Sequence, residues 1–314
     1  MTAVVLLRGD AANPFDALAA DSERRTRRID VPPLTPRRET ARVVAVLVCI
    51  LSGAFFLQLT VIGSFQARAA QRQAFDHFRE QLAFGTAPTS GVDEQGHLLA
   101  LGAPMAYLEI PKVGMKLVVG EGTTAGVLLD GPGHERDTAF PGQFGTSVIM
   151  GRRASFGGAF ARIGSLRAGD ELNITTAQGI FVYEVVGVRN EGDPIPTIPA
   201  GSARLILVTA AGSAFSPNGV LRVDANLVGT PLVGVTPPFR ASNLAARERA
   251  MHSDTSTLWV LALWLQALLV LSIAAIWAWH RWGHAQAWVV FLPPLLLVGL
   301  AASSEAVRLL PNLL

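Results

Sequence analysis

Three long runs of uncharged, mostly apolar residues limit what this chain can fold into. Residues 43–63 carry no charge over about twenty positions, enough for a helix to cross a ~30 Å hydrocarbon layer. Residues 258–279 form a second such run. Residues 288–302 form a third, shorter and interrupted by Pro293 and Pro294. The short stretch 280–287 joins the last two, so a helical hairpin is expected there. Half of the chain is hydrophobic and 16% is charged, a balance that fits membrane segments better than a wholly soluble chain.

Charge gives the expected orientation. Residues 1–42 hold eight arginines, seven of them between Arg24 and Arg42, against only Asp30 and Glu39 in that interval. Basic flanks stay on the cytoplasmic side. The N-terminus is therefore expected inside and residues 64–257 outside. The loop with Arg281 returns inside, and the last residues lie outside. Ala67-Arg68-Ala69 resembles a cleavage pattern, but the apolar run and the basic segment before it are too long for a signal peptide. An uncleaved anchor is expected.

Residues 64–257 carry 16 Lys/Arg and 17 Asp/Glu. A near-neutral region makes no case for a nucleic-acid partner, and the sequence pI of about 9.1 arises from the basic N-terminal segment. The single cysteine, Cys49, sits in the first apolar run, so no disulfide braces the outer region. No phosphate loop or zinc-ligand pattern occurs, and no cofactor or metal is expected.

The organisation expected along the chain has seven parts. Residues 1–42 read as a disordered cytoplasmic tail, with Pro32, Pro33 and Pro36 among charges. Residues 43–63 form the first span. Residues 64–104 form a juxtamembrane helix and linker, with Phe75, Phe78 and Leu82 at helical spacing. Residues 105–230 are strand-rich: short segments with many β-branched residues, punctuated by Gly, Pro and Asp, point to a sandwich or barrel. Residues 231–257 form a proline-bearing linker, and residues 258–280 and 286–303 form the second and third spans.

Four blocks in the strand-rich region carry specific residues. The first is Leu108-Glu109-Ile110-Pro111-Lys112-Val113-Gly114, followed by Glu121-Gly122-Thr123. The second is Gly131-Pro132-Gly133-His134, then Pro141-Gly142-Gln143-Phe144-Gly145-Thr146 and the strand-like run to Gly151-Arg152-Arg153. The third is Leu166-Arg167-Ala168-Gly169-Asp170 with Tyr183. The fourth is Leu205-Ile206-Leu207-Val208-Thr209-Ala210, then 220–228.

In this order and spacing the blocks resemble the sortase family over about 120 residues. The resemblance implies a mainly β fold, a closed and mostly antiparallel barrel outside the membrane, joined to three transmembrane helices. One anchor before the barrel and a paired hairpin after it also resemble some actinobacterial members. Sortases cut a sorting signal with a Cys thiolate, use a His as acid and base, and hold the oxyanion or substrate with an Arg.

At those positions this sequence departs from the family. The family's Gly-His-Arg stands here as Gly151-Arg152-Arg153, and its Thr-Cys as Thr209-Ala210. Its strand-opening Arg aligns with Val220; Arg222, two residues on, shares that strand face. A guanidinium is no base at relevant pH. The expectation is a pseudoenzyme at the plasma membrane that binds a peptide or an envelope protein. Its candidate groove residues are Arg152, Arg153, Thr209 and Arg222, with His134 and Ser213 as weaker candidates. His134 reads first as a turn or loop contact. Two other readings stay open. One is a divergent acyl-transfer enzyme using Thr209, Ser213 or a partner's groups; the other is a structural subunit of a membrane complex.

Overall fold

The computed structural model describes residues 36–93, 95–199, 201–282 and 284–314. Most of the segment expected to be a cytoplasmic tail thus lies outside the described residues. The chain divides into two compact units, Met1–Leu47 and Val48–Leu314. The first is described only from the start of helix α1, Pro36–Leu57.

A π-helical turn, Gln58–Ile62, precedes helix α2, Gly63–Phe84. Gly85 ends α2 in the left-handed region (φ 70), and its N–H reaches the carbonyls of Gln81 and Leu82. A glycine cap satisfies helix-terminal acceptors with no Cβ penalty. Near the chain's other end lie helix α4, Leu258–Trp282, and helix α5, His284–Arg308; α5 runs unbroken through Pro293 and Pro294. Among the described residues three helical stretches are long and apolar enough to cross a membrane: Val44–Phe84, Leu258–Arg281 and Gln286–Arg308.

Between α2 and α4 lie eight strands and a short helix α3, Ala125–Asp130. The strands are β1 Pro104–Ile110, β2 Met115–Glu121, β3 Gly133–His134, β4 Gly145–Met150, β5 Glu171–Thr176, β6 Gly179–Asn190, β7 Ala203–Ser213 and β8 Ser216–Leu227. They close into a barrel in the order β1-β2-β3-β4-β7-β8-β6-β5. Two pairs are parallel, β2 with β3 and β4 with β7; the other six are antiparallel. Closure leaves no open sheet edge between first and last strands.

Alternating side chains fill the barrel: Leu108 and Ile110 from β1, Ile174 from β5, Leu205 and Leu207 from β7, and Val223 and Ala225 from β8 are all fully buried. Phe160 and Ile163, from the connection after β4, are also fully buried in this core. Buried apolar area of this extent is what holds a domain without disulfides.

Helix α2 is fastened to the barrel by one polar side chain. Gln71 accepts from the Val118 N–H (2.8 Å) and donates to the carbonyls of Val118 and Asp130 (both 3.1 Å). Its carboxamide thus imitates a strand neighbour on β2, whose pairing with β3 covers only two residues. Phe78, 1% exposed, packs beside it on Val118.

The glycines of the second block are steric necessities. A Cβ on Gly133 would stand 2.1 Å from the Gly122 carbonyl oxygen. Gly142 has φ 88 and donates its N–H to the Tyr183 hydroxyl at 2.7 Å. Gln143, nearly fully buried, ties the barrel to the segments on either side of it. It donates to the Thr89 carbonyl (2.9 Å) and accepts from the Val235 N–H (3.2 Å).

Candidate functional site

Parallel pairing of β4 and β7 brings two of the singled-out segments together. Met150 sits opposite Val208. Just beyond, the Gly151 N–H donates to the Val208 carbonyl (3.0 Å), and Thr209 Oγ1 donates back to the Gly151 carbonyl (2.8 Å). Arg152 and Ala210 follow, level with each other. Antiparallel pairing of β7 with β8 sets Val220 opposite Ala210 and Arg222 opposite Val208.

Met150, Val208, Ala210 and Val220 face the outside of the barrel, whereas Thr209, opposite Leu221, lies on the inner face; the outer positions are not open. Met150, Val208, Ala210 and Val220 form an apolar cluster with Leu128 of α3 and with Leu313. Ala250 and Met251, from the segment between barrel and α4, pack against its edge. The outer wall of β4, β7 and β8 is therefore a groove filled by the chain's own later segments.

Arg152 is 1% exposed. Its Nη1 donates to Ser155 Oγ (2.9 Å), its Nη2 lies 3.4 Å from the Ala125 carbonyl, and its guanidinium carbon lies 5.8 Å from the Phe156 ring centroid. Its Nε has no partner, and among the described residues no Asp or Glu forms an ion pair with it. Desolvation pulls its pKa down to about 10, which still leaves it charged at neutral pH. Phe156 holds φ 52, an unusual backbone setting for a bulky residue, in the loop that carries this arrangement.

The other candidates have different partners. Arg153 reaches the Ala210 carbonyl with Nη1 at 3.4 Å. Arg222, half-buried, lies near enough to Glu135 to favour its ionised form. Ser213 is exposed in the β7–β8 turn and donates to the Ser216 carbonyl (3.3 Å). Thr209 is fully buried with its hydroxyl committed to Gly151. Among the described residues no imidazole is a partner of either hydroxyl.

His134 is more than a turn contact. It sits in β3 opposite Glu121, both almost fully buried, with Nδ1 3.1 Å from Glu121 Oε2. Its Nε2 faces the Ala139 carbonyl (3.1 Å) and the Thr138 hydroxyl (3.2 Å). Burial pulls the imidazole pKa down, but the Glu121 charge and hydrogen bond outweigh this and raise it. Arg136 joins the pair, with Nε 3.9 Å from Glu121 and Nη1 3.9 Å from Glu248, and stacks over Phe239 at 4.2 Å. Glu135 beside them is raised to about 7, first by burial and then by repulsion from Asp137. The cluster fixes β2, β3 and the segment after the barrel to one another.

Sequence reasoning missed Ser155, two residues past the second block, and Asn312 and Leu313, which lie far from every block; none of the three matches a pattern. One signal did exist. The run Leu205–Ala211 is apolar at nearly every position, whereas a strand with one wet face alternates. Such a run requires cover on both faces, and β7 has it.

A closed eight-stranded barrel with an outer groove along β4, β7 and β8 defines the architectural class. Residues 108–218 match the family model described as the sortase domain. Sortase D of Bacillus subtilis (strain 168) is 33% identical over 124 residues, 38% of this chain and 61% of that protein. The match thus spans about three fifths of the curated relative. A Clostridium perfringens sortase D5 transpeptidase is 25% identical over 51% of this chain and 99% of its own, with a TM-score of 0.42. Sortase E1 from Streptomyces coelicolor, solved with a tripeptide in its active site, is 25% identical over 41% of this chain and 91% of its own (TM-score 0.36).

Proposed function

We propose that this chain is a membrane-anchored pseudoenzyme of sortase fold that holds a peptide or an envelope-protein partner. One observation carries the reading: two residues past the last β4–β7 pair, Met150 with Val208, stand a buried guanidinium and a methyl group, Arg152 and Ala210. Neither supplies a nucleophile or a base. Thr209 and Ser213 are hydroxyls without an adjacent imidazole, and a hydroxyl needs such a base to attack a carbonyl. His134 is committed to Glu121, Thr138 and the Ala139 carbonyl. In a serine protease, loss of the nucleophile alone lowers turnover by roughly 10⁶.

The N-terminus lies in the cytoplasm in this reading, and the barrel lies outside the membrane. The start of α4 and the end of α5 lie together, the Asp254 N–H donating to the Arg308 carbonyl (3.0 Å), and the chain just past α5 reaches the barrel where the Arg153 N–H donates to the Leu313 carbonyl (2.9 Å). The hairpin must then cross and return, which agrees with three spans and with the arginine-rich N-terminal segment. A second reading, a structural subunit that uses the barrel only for docking, is favoured by the filled groove. Isolation of the intact chain from native membranes, with identification of stoichiometric partners by mass, tests the two. A partner retained by the full chain and lost by an α4–α5 hairpin fragment supports the binding role. A partner retained equally by both supports the structural subunit and removes the binding role.

A further inference from the structure

The segment after α5 does not trail away. Pro311 to Leu314 lie against the outer wall of the barrel, with Asn312 and Leu313 fully buried and Leu314 7% exposed. Each residue past the proline is engaged. The Asn312 N–H donates to the His252 carbonyl (2.9 Å), and its Nδ2 donates to the carbonyls of Thr123 and Arg249 (both 3.0 Å). The Leu313 carbonyl accepts from the Arg153 N–H (2.9 Å). The Leu314 carbonyl accepts from Ser155 Oγ (2.6 Å), and that same Oγ accepts from Arg152. The Leu313 side chain enters the cluster of Leu128, Met150, Val208, Ala210 and Val220.

These contacts have the character of a ligand in a site. Backbone carbonyls meet N–H and O–H donors from the Gly151–Ser155 loop. One side-chain amide reads two carbonyls, and one leucine fills an apolar pocket floored by the Ala210 methyl. A polar group buried with its partners is far cheaper than one buried without them, and here the segment satisfies Ser155 and the Arg153 N–H. Every residue from Leu309 to Leu314 is uncharged, which suits a pocket whose only buried cation is already turned towards Ser155.

We propose that residues 311–314 are an internal ligand of the groove over Ala210. In this view the site takes a short, uncharged peptide bearing Asn followed by Leu and folded in a turn, as the Leu314 N–H bond to the Pro311 carbonyl (3.1 Å) folds it here, and any external partner of that chemistry binds by displacing the chain's own segment. The inference rests on the binding role proposed above and names the ligand class of that groove.

The test uses full-length protein in detergent and a fluorescent peptide with the sequence of residues 307–314. Wild type, with its groove filled, is expected to bind this peptide at least tenfold more weakly than a Leu313→Asp variant. That variant places a carboxylate against apolar walls and releases the segment. A peptide carrying the same Leu→Asp change is expected not to bind. Asn312→Ala gives a milder second variant, expected to fall between the two. Equal binding by wild type and Leu313→Asp, including none by either, overturns the proposal.

A check that does not depend on that variant's folding starts from Cys49→Ala. With Ala210→Cys and Leu313→Cys added, a short bifunctional thiosulfonate is expected to cross-link the two positions and to abolish residual peptide binding. Absence of the cross-link overturns the proposal. A cross-link that forms in a protein from which no membrane partner is ever recovered supports the internal ligand and removes the partner-binding role.

Discussion

At the scale of single residues, the largest anomaly is Arg152. A cation with no carboxylate partner, 1% exposed and with Nε unpartnered, sits in an otherwise apolar wall. Removing charges from water is expensive, and replacing even a buried ion pair with apolar groups of similar volume is often neutral or stabilising, by about 1–4 kcal/mol. Arg152→Met is therefore expected to raise the midpoint of thermal unfolding of the intact protein, measured by scanning fluorimetry. Ser155 keeps the Leu314 carbonyl as a partner in that variant. A sharp drop in the midpoint would show that the bonds to Ser155 and Ala125 outweigh desolvation.

Glu135 gives a second expectation at this scale. Its ordinary value of 4.5 is raised to about 7 by burial and by Asp137. The folded state then holds a proton that the unfolded state has already lost. Stability contributed by this group is present below about 4.5 and is lost as pH rises towards 7. His134, also raised, acts in the same direction from its ordinary 6.5 upward. The melting temperature is thus expected to fall between pH 5 and pH 8. Glu135→Gln should flatten part of that slope, and an unchanged pH profile in the variant would contradict the assignment.

At the scale of elements, the groove is set by the β4–β7 pair and by the loop that leaves β4. Gly151 starts that loop, and a Cβ there would stand 2.7 Å from the buried Phe160 ring. Forcing one extra carbon into a packed core costs typically about 1–3 kcal/mol. Gly151→Ala is expected to destabilise the protein by about that amount in thermal unfolding. It should also shift the Arg152–Ser155 segment enough to speed amide exchange at Arg153, whose N–H holds the Leu313 carbonyl. A neutral effect on both would mean that the loop is not held by Phe160.

Much at this scale was legible in the sequence. The blocks around Gly133-His134 and Pro141-Gly142-Gln143 announced a sortase-like barrel because their glycines have no room for a Cβ and their polar side chains are buried. Strand positions followed from β-branched runs between turn residues, although β7 and β8 extend further towards their shared turn than those runs suggested. The groove's contents were not legible. Leu313 and Asn312 touch Ala210 and Thr123 across more than one hundred residues of chain, and no local pattern records such contacts. The nearly continuous apolar run in β7 showed only that something must cover it. His134 was legible as a residue but not as half of a buried ion pair, since Glu121 joins it only through the parallel register of β2 and β3.

At the scale of the whole molecule, the proposed topology places one anchor before the barrel and one hairpin after it. In a Cys49→Ala background, Gln95→Cys should react with a membrane-impermeant maleimide in intact cells, while Gly283→Cys should react only after permeabilisation. The reverse pattern would invert the proposed orientation without changing the fold.

The central claim is that the sortase fold here binds without transferring. The most direct measurement incubates the purified full-length protein with a panel of sorting peptides and amine acceptors, with product detected by mass. The account expects no cleaved or transferred product above a control without protein, in wild type and in Thr209→Val and Ser213→Ala alike. Wild-type product that either substitution abolishes would contradict it, and would make this chain a transpeptidase with a hydroxyl nucleophile.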